Sequence, residues 1–289
     1  MKTQELTIDR HMGYAFDFKV RELKNEPTLQ YIRDSWLMAM AEMDSEQRAT
    51  WEAIYDKKNE EFLKNPPVGK DLLRWKYQRY VKEYCRTIRS VDEQVGRLLD
   101  YLEEKGVLDN TVIVYTSDQG FLLGEHGLYD KRFMYEESFR TPLIISCPSL
   151  VKKHSVCKEL VQNIDLAPTF LSLAGVEVPK EMSGRSLLPL FKNGKAENWR
   201  NELYYHFYDY PAVGSVRKHD GIRTKRYKLI HWYGEGSGND EAIDFWELYD
   251  LKKDVMEVNN VYDNPKYVKV REALTVQLEK LRKDVGVTE

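Results

Sequence analysis

Apolar residues return every three or four positions over much of the first hundred residues, and that spacing predicts helices. From Leu29 to about Lys64 helical patterns dominate, with Trp36, Met40 and Met43 on one face and Trp51 and Tyr55 following. Asn65-Pro66-Pro67-Val68-Gly69 must end a helix, because proline lacks an amide donor and its ring clashes with the preceding turn. The clearest helix then runs from about Lys70 to Lys105. Its apolar positions Leu73, Tyr77, Tyr80, Tyr84, Ile88, Val91, Val95, Leu98 and Leu102 share a side, and Gly106 sits where a C-cap residue belongs. Residues 1–30 show little periodicity and read as loops with short extended pieces.

Beyond Gly106 the pattern changes. Val107-Leu108-Asp109-Asn110 turns the chain into a β-branched run, Thr111–Thr116, and helix, turn, strand and glycine-containing loop make half of a β/α unit. Thr141–Ser146 is a second strand candidate closed by Pro148, and Val161–Leu173 reads as a helix with Asp165 and Pro168 near its start and Gly175 as its stop. After about Asn198 come short aromatic and β-branched runs, LYYHFYDY, GIRTKRYKLIHWY and DFWELYDL, parted by polar or glycine-rich turns. These predict antiparallel strands, and Tyr267–Asp284 predicts a closing helix with Val270, Ala273, Leu274, Val276, Leu278 and Leu281 largely on one side.

Composition bounds what such a chain does. Its 289 residues are 42% hydrophobic and 31% charged with a net charge of −3, as in a globular protein. The 44 basic residues are interleaved with 47 acidic ones, which argues against a nucleic-acid footprint. No window approaches a membrane span, and the polar opening MKTQELTIDRH has no signal-peptide pattern. The three cysteines, Cys85, Cys147 and Cys157, form no metal spacing or disulfide framework. The 19 tyrosines and 6 tryptophans fit half-buried packing, with sugar-stacking platforms as the alternative.

The chemistry concentrates in Thr111–Arg140. Asp118 and Gln119 stand at the carboxyl end of a predicted strand, where open α/β sheets present ligands. Their oxygens suit a hard cation, although an Asp there can also merely accept backbone amides. Gly120, Gly124 and Gly127 frame a loop carrying Glu125 and His126, which are acid–base candidates or groups that hold the loop. Lys131 is a compact positive charge suited to a tetrahedral oxyanion. Arg132 and Arg140 can pair with Glu136 and Glu137, and His219 with Arg217, Lys218 and Arg223 makes a basic cluster that could meet an anionic or sugar substrate.

Taken as a unit, TSDQGFLLGEHGLYDKRFMYEESFRTPLI resembles the second signature region of the type I sulfatases, which have the alkaline-phosphatase-like fold. The likeness extends to RWKYQRYVKEYCRTIRSVDEQVGRLLDYLEEKGVLDNTVIVYTSDQG, HDGIRTKRYKLIHWY and DFWELYDLKKDVMEVNN. It is to bacterial N-acetylglucosamine-6-sulfatase-like, glycosaminoglycan- or mucin-desulfating members, and to the C-terminal half only of such enzymes. The resemblance implies an α/β fold: part of an alkaline-phosphatase-like sheet sandwiched by helices over residues 1–195, without the N-terminal catalytic half, then an α+β subdomain over 196–289 with a small antiparallel sheet and a C-terminal helix. It implies calcium held by Asp118 and Gln119 and sulfate contacted by Lys131; His126 is the candidate for support there, and His219, Arg217 and Arg223 are the candidates to meet the sulfated carbohydrate.

The family's nucleophile is a formylglycine made from Cys or Ser in a Cys/Ser-x-Pro-x-Arg segment. No such segment occurs here; Cys147-Pro148-Ser149-Leu150 only echoes it. The expectation is therefore a sulfuric ester hydrolase that is inactive alone, binds calcium weakly if at all, and self-associates or needs an N-terminal half. No membrane or nucleic-acid partner is expected, and full-length relatives are typically periplasmic, secreted or lysosomal. The competing expectation is a noncatalytic carbohydrate-interacting accessory domain; phosphoryl or phosphonate ester transfer is a hydrolytic alternative on the same fold.

Overall fold

A computed structural model describes residues 18–20, 30–211, 216–236 and 241–287, with the side chains of 30–33 and 36 set aside. The loops expected before residue 30 and the side chain of Trp36 therefore lie outside the described residues, apart from 18–20. The chain folds into two compact units: residues 2–104 with 123–129, and residues 105–122 with 130–289. The boundary expected at 195–196 thus falls inside the second unit.

In the first unit three helices form, α1 (Gln30–Glu42), α2 (Ser45–Lys64) and α3 (Gly69–Glu104). The stretch that reads as continuously helical breaks at Asp44. Its carboxylate accepts from the amides of Glu46 and Gln47, while the Gln47 side chain accepts from the Asp44 amide, a reciprocal capping box. Met40, Trp51 and Tyr55 form one buried cluster, and Phe18, Val20 and Phe62 form another with Leu72, Trp75 and Tyr80 against it. Gly106 takes the left-handed φ of +66° expected of its capping position. Yet α3 buries none of its side chains, and Ile88, Val91, Leu98 and Tyr101 are exposed along its apolar stripe.

The second unit begins with β1 (Ile113–Thr116), which pairs antiparallel with β4 (Leu143–Ser146). Between them lie the two-residue strands β2 (Leu122–Leu123) and β3 (Tyr129–Asp130) and one helical turn, α4 (Glu136–Phe139). Helices α5 (Leu166–Leu173) and α6 (Leu188–Phe191) flank this sheet: Leu187, Leu190 and Phe191 form a core packed against Leu143 and Ile145 of β4 and Leu166 and Leu173 of α5. Strands β5 (Glu202–Phe207), β6 (His219–Thr224), β7 (Tyr227–Gly234) and β8 (Ile243–Asp250) follow in spatial order as an antiparallel sheet, and α7 (Val268–Asp284) closes the chain. The architecture is the expected one: an α/β sheet flanked by helices, then a small antiparallel sheet and a long C-terminal helix.

Period-two alternation gives the β5–β8 sheet two different faces. Ile222, Leu229 and Leu248 point to one side, where Leu274 and Leu278 of α7 cover them. Lys228, Trp232, Glu247 and Tyr249 point to the other, where the segment from Phe133 to Phe139 packs. There Phe133 lies over Trp232 with ring centroids 6.2 Å apart, and the Tyr135 hydroxyl donates to Glu247 Oε2 at 3.1 Å. Gly221 permits this approach, since a Cβ there would lie 2.6 Å from the Met134 sulfur and 2.4 Å from the Leu229 carbonyl.

His219 lies on this covered face at 0% exposure, stacked on Trp232 at 4.1 Å and flanked by Tyr205 and Phe207. Its Nδ1 lies 2.9 Å from the Arg217 carbonyl, and its Nε2 is buried without a hydrogen-bond partner. Burial pushes the imidazole down to about 4, against the pull of the Arg217 carbonyl and Asp220. The folded protein therefore refuses a proton that the unfolded chain accepts below about pH 6.5. Stability should fall as pH drops from 6.5 to 4, by roughly 3 kcal/mol from this group alone. Urea denaturation at pH 7 and pH 4 should show that much less acid sensitivity in His219→Phe than in the unaltered chain; equal losses in both would disprove the assignment.

Candidate functional site

Strand β1 ends at Thr116, and Ser117 leads directly into Asp118 and Gln119. Asp118 Oδ1 accepts from the Gln119 amide at 3.0 Å and from Ser117 Oγ at 3.2 Å. Asn163 Nδ2 fixes the backbone, donating to the carbonyls of Ser117 at 3.1 Å and Asp118 at 2.8 Å. Asp118 is itself exposed. Two residues on, Gly120 is pressed against α4: its amide donates to the Ser138 carbonyl at 2.8 Å, and a Cβ there would stand 2.1 Å from the Glu137 carbonyl oxygen.

Lys131 follows a strained residue. Asp130 has a φ of +123°, a region that residues with a Cβ rarely occupy. Its Oδ1 accepts the Lys131 amide at 2.8 Å, and it pairs with Arg132. The Lys131 carbonyl accepts from Ser138 Oγ at 2.5 Å, and the Lys131 side chain is exposed.

Asp118, Gln119 and Lys131 line one cleft of about 1640 Å³, together with Arg132, Arg140, Arg223 and His206. That is more than the ~300–1,000 Å³ of an ordinary small-molecule pocket. The paired donors are oxygens, the chemistry of a calcium site. Among the described residues no group of three or more His, Cys, Asp and Glu side chains is placed to hold a metal ion, so the dyad fits a calcium ion as part of a coordination shell only.

The remaining candidates are placed differently. Arg132 pairs with Asp130, and Glu136 takes Arg223 and Lys228. The basic cluster expected around His219 is not one. Strand alternation puts His219 and Arg223 of β6 on the face that the Phe133–Phe139 segment covers. His219 is wholly buried there and offers no surface to a substrate. Arg217 lies over the Tyr210 ring at 4.6 Å and donates to the carbonyls of Gly234 and Glu241. Arg223 borders the cleft but is held by Glu136 at 3.2 Å. His126 belongs to the other compact unit, where it takes a left-handed φ of +56° in the turn Glu125–Gly127.

Sequence reasoning missed Asn163 and Ser138. Asn163 lies in the stretch that reads as a helix over Val161–Leu173, and neither it nor Ser138 carries a local signal for a bond to a residue far along the chain. Asp165 was placed near a helix start, but it is a hub. At 0% exposure it accepts from the amides of Gln162 and Arg185, each at 2.8 Å, and from both guanidinium arms of Arg200.

The chain matches the Sulfatase family profile over residues 36–176 and that of "N-sulphoglucosamine sulphohydrolase, C-terminal" over residues 124–284. It is 45% identical to an N-acetylglucosamine-6-O-sulfatase of Bacteroides thetaiotaomicron, over 98% of this chain and 49% of that protein. It matches a solved structure described as in complex with its substrate D-glucosamine-2-N,6-O-disulfate at a TM-score of 0.85 and 45% identity, over 96% of this chain and 55% of that one. A phosphonate monoester hydrolase from Silicibacter pomeroyi matches at a TM-score of 0.58 and 27% identity, over 74% of this chain and 41% of that one. The chain thus spans about half the length, or less, of these relatives. One expectation is corrected: the likeness is not to a C-terminal half only, because the general Sulfatase profile takes residues 36–176 and the matches extend over nearly the whole chain.

The close approach at Gly120 is testable. The obstructing atoms are backbone, so Gly120→Ala should cost about 2–3 kcal/mol, in the range of overpacked sites. Urea denaturation checks this, and a change within ~0.5 kcal/mol, the scatter of ordinary surface substitutions, would contradict the packing described.

Proposed function

Because this chain belongs to the sulfatase family, we propose that it carries the cation- and sulfate-facing part of a sulfuric ester hydrolase site for a sulfated amino sugar. The observation that carries the reading is the shared cleft of Asp118, Gln119 and Lys131. In it the Asp118 carboxylate and Gln119 amide oxygen hold a calcium ion, and the Lys131 ammonium faces the sulfate oxygens. The substrate class, a glucosamine bearing a 6-sulfate, is supported by the names of the Bacteroides relative and of the substrate complex.

Sulfate ester cleavage needs a nucleophile, a clamp on the nonbridging oxygens and a proton for the departing alcohol. Calcium, when bound, supplies positive charge to that clamp. Asp118 and Gln119 orient it, and Lys131 adds a charge of its own. The family's formylglycine finds no Cys/Ser-x-Pro-x-Arg segment within these 289 residues, so no step is derived through it. Alone they bind the sulfated sugar without turning it over at enzymic rates.

Two measurements test this. With 4-methylumbelliferyl sulfate the 289-residue chain should release negligible fluorophore; ordinary turnover would overturn the expectation of inactivity. In calorimetry with calcium present, Lys131→Met should weaken glucosamine 6-sulfate binding about tenfold or more, the value of one hydrogen bond to a charged group. Binding that ignores both the sulfate and Lys131 would favour the accessory carbohydrate-binding reading.

A further inference from the structure

Ser138 touches both parts of the proposed site. It is only 3% exposed, and its carbonyl and its hydroxyl serve two different neighbours. Its carbonyl accepts the amide of Gly120, the residue next to the Asp118-Gln119 dyad, at 2.8 Å. Its hydroxyl donates to the carbonyl of Lys131 at 2.5 Å. One buried residue therefore links the backbone that presents the dyad to the backbone that presents the lysine.

The intervening residues are anchored elsewhere. The Met134 carbonyl accepts from Lys228 Nζ at 2.6 Å, and the Glu136 amide donates to Glu257 Oε2 at 2.6 Å. These contacts hold the segment to the β5–β8 sheet and leave the Lys131 end to be fixed separately. That end carries the strained φ of Asp130, and such strain persists only where the surroundings over-determine it. The Asp130 carboxylate holds the Lys131 amide, and Ser138 holds the Lys131 carbonyl. Removing the hydroxyl frees the carbonyl and lets the strained backbone relax, which moves the root of a long, flexible side chain.

We propose that Ser138 is a positioning residue that sets Lys131 in register with the Asp118-Gln119 dyad, so that a single sulfate meets the lysine and the cation together. This rests on the reading of those three residues as the site. Ser138→Ala is the informative change, because it keeps the carbonyl bond to Gly120 and deletes only the hydroxyl.

A double-mutant cycle decides the matter, with calcium and glucosamine 6-sulfate affinities measured by calorimetry for the unaltered chain, S138A, K131M and the double variant. S138A should weaken sugar binding about fivefold, the scale of one neutral hydrogen bond, with calcium affinity unchanged. In the K131M background it should weaken binding no further. An equal loss in both backgrounds, a parallel loss of calcium affinity, or no loss at all would overturn the proposal. Unaltered binding by K131M would overturn the underlying site assignment and the proposal with it. If S138A loses its near-UV dichroism, Ser138→Cys carries the same test, since it keeps the volume and offers only a weak donor.

Discussion

A lysine ammonium buried to 0% exposure is the constraint on which the second unit is arranged. An isolated charge in that position would cost several kcal/mol, so Lys228 must be surrounded by acceptors. It donates to the Met134 carbonyl at 2.6 Å, meets Glu257 at 2.7 Å and Glu136 at 3.0 Å, and lies over the Phe139 ring. None of these partners is local to β7. The lysine is satisfied only if the segment before α4 lies on the sheet and the loop after β8 folds back, with Glu257 in a left-handed conformation at φ +51°. Fold and site are coupled at this point: the segment that Lys228 holds is the one that presents Lys131.

The two carboxylates around Lys228 respond differently. Burial pushes Glu136 upward, but Lys228 and Arg223 outweigh it and hold the group below the usual carboxylate range. Glu257 has Lys228 as its cation, and there burial wins and raises it. Arg223 therefore has work inside the fold, which explains why it is not a free substrate contact although it borders the cleft. The same face buries His219 as a neutral ring among aromatics, while the opposite face is filled by α7.

Much of this was legible in the sequence because it is written in local signals. The apolar period placed α3 at Gly69–Glu104 and α7 at Val268–Asp284 to within a residue or so. The β-branched run, the strand-end Asp-Gln and the glycine-punctuated loop located the dyad and Lys131, and the structure brings the three to one cleft. What could not be read depends on pairing between distant residues. In HDGIRT the charges look like a cluster, but alternation turns His219 and Arg223 to one face of the sheet, and it is the distant segment Phe133–Phe139 that covers that face. Gly120–Ser138 and Asn163–Asp118 join residues 18 and 45 positions apart, and in each the acceptor is a backbone carbonyl, which carries no side-chain signature. The break at Asp44 is the opposite case: Asp44 and Gln47 show the capping spacing plainly, within a run whose helical period hides it.

Charge balance gives the site its direction. Each buried aspartate among the described residues has an arginine: Asp165 has Arg200, Asp220 has Arg282 and Asp250 has Arg226. Asp118 has none; it stands exposed at the cleft, with one oxygen held by its own neighbours. A carboxylate and a sulfate in one cleft repel each other, and at a few ångströms that repulsion is about 4 kcal/mol at a near-surface dielectric. Lys131 brings one positive charge, and Arg132, Arg140 and Arg223 line the same cleft. A carboxylate beside an amide oxygen is in addition a donor set that would keep a hard divalent cation there. In the proposed reading the dyad and the lysine are therefore complementary: the dyad would hold a cation, the lysine would face the sulfate, and the contacts through Ser138 link the two.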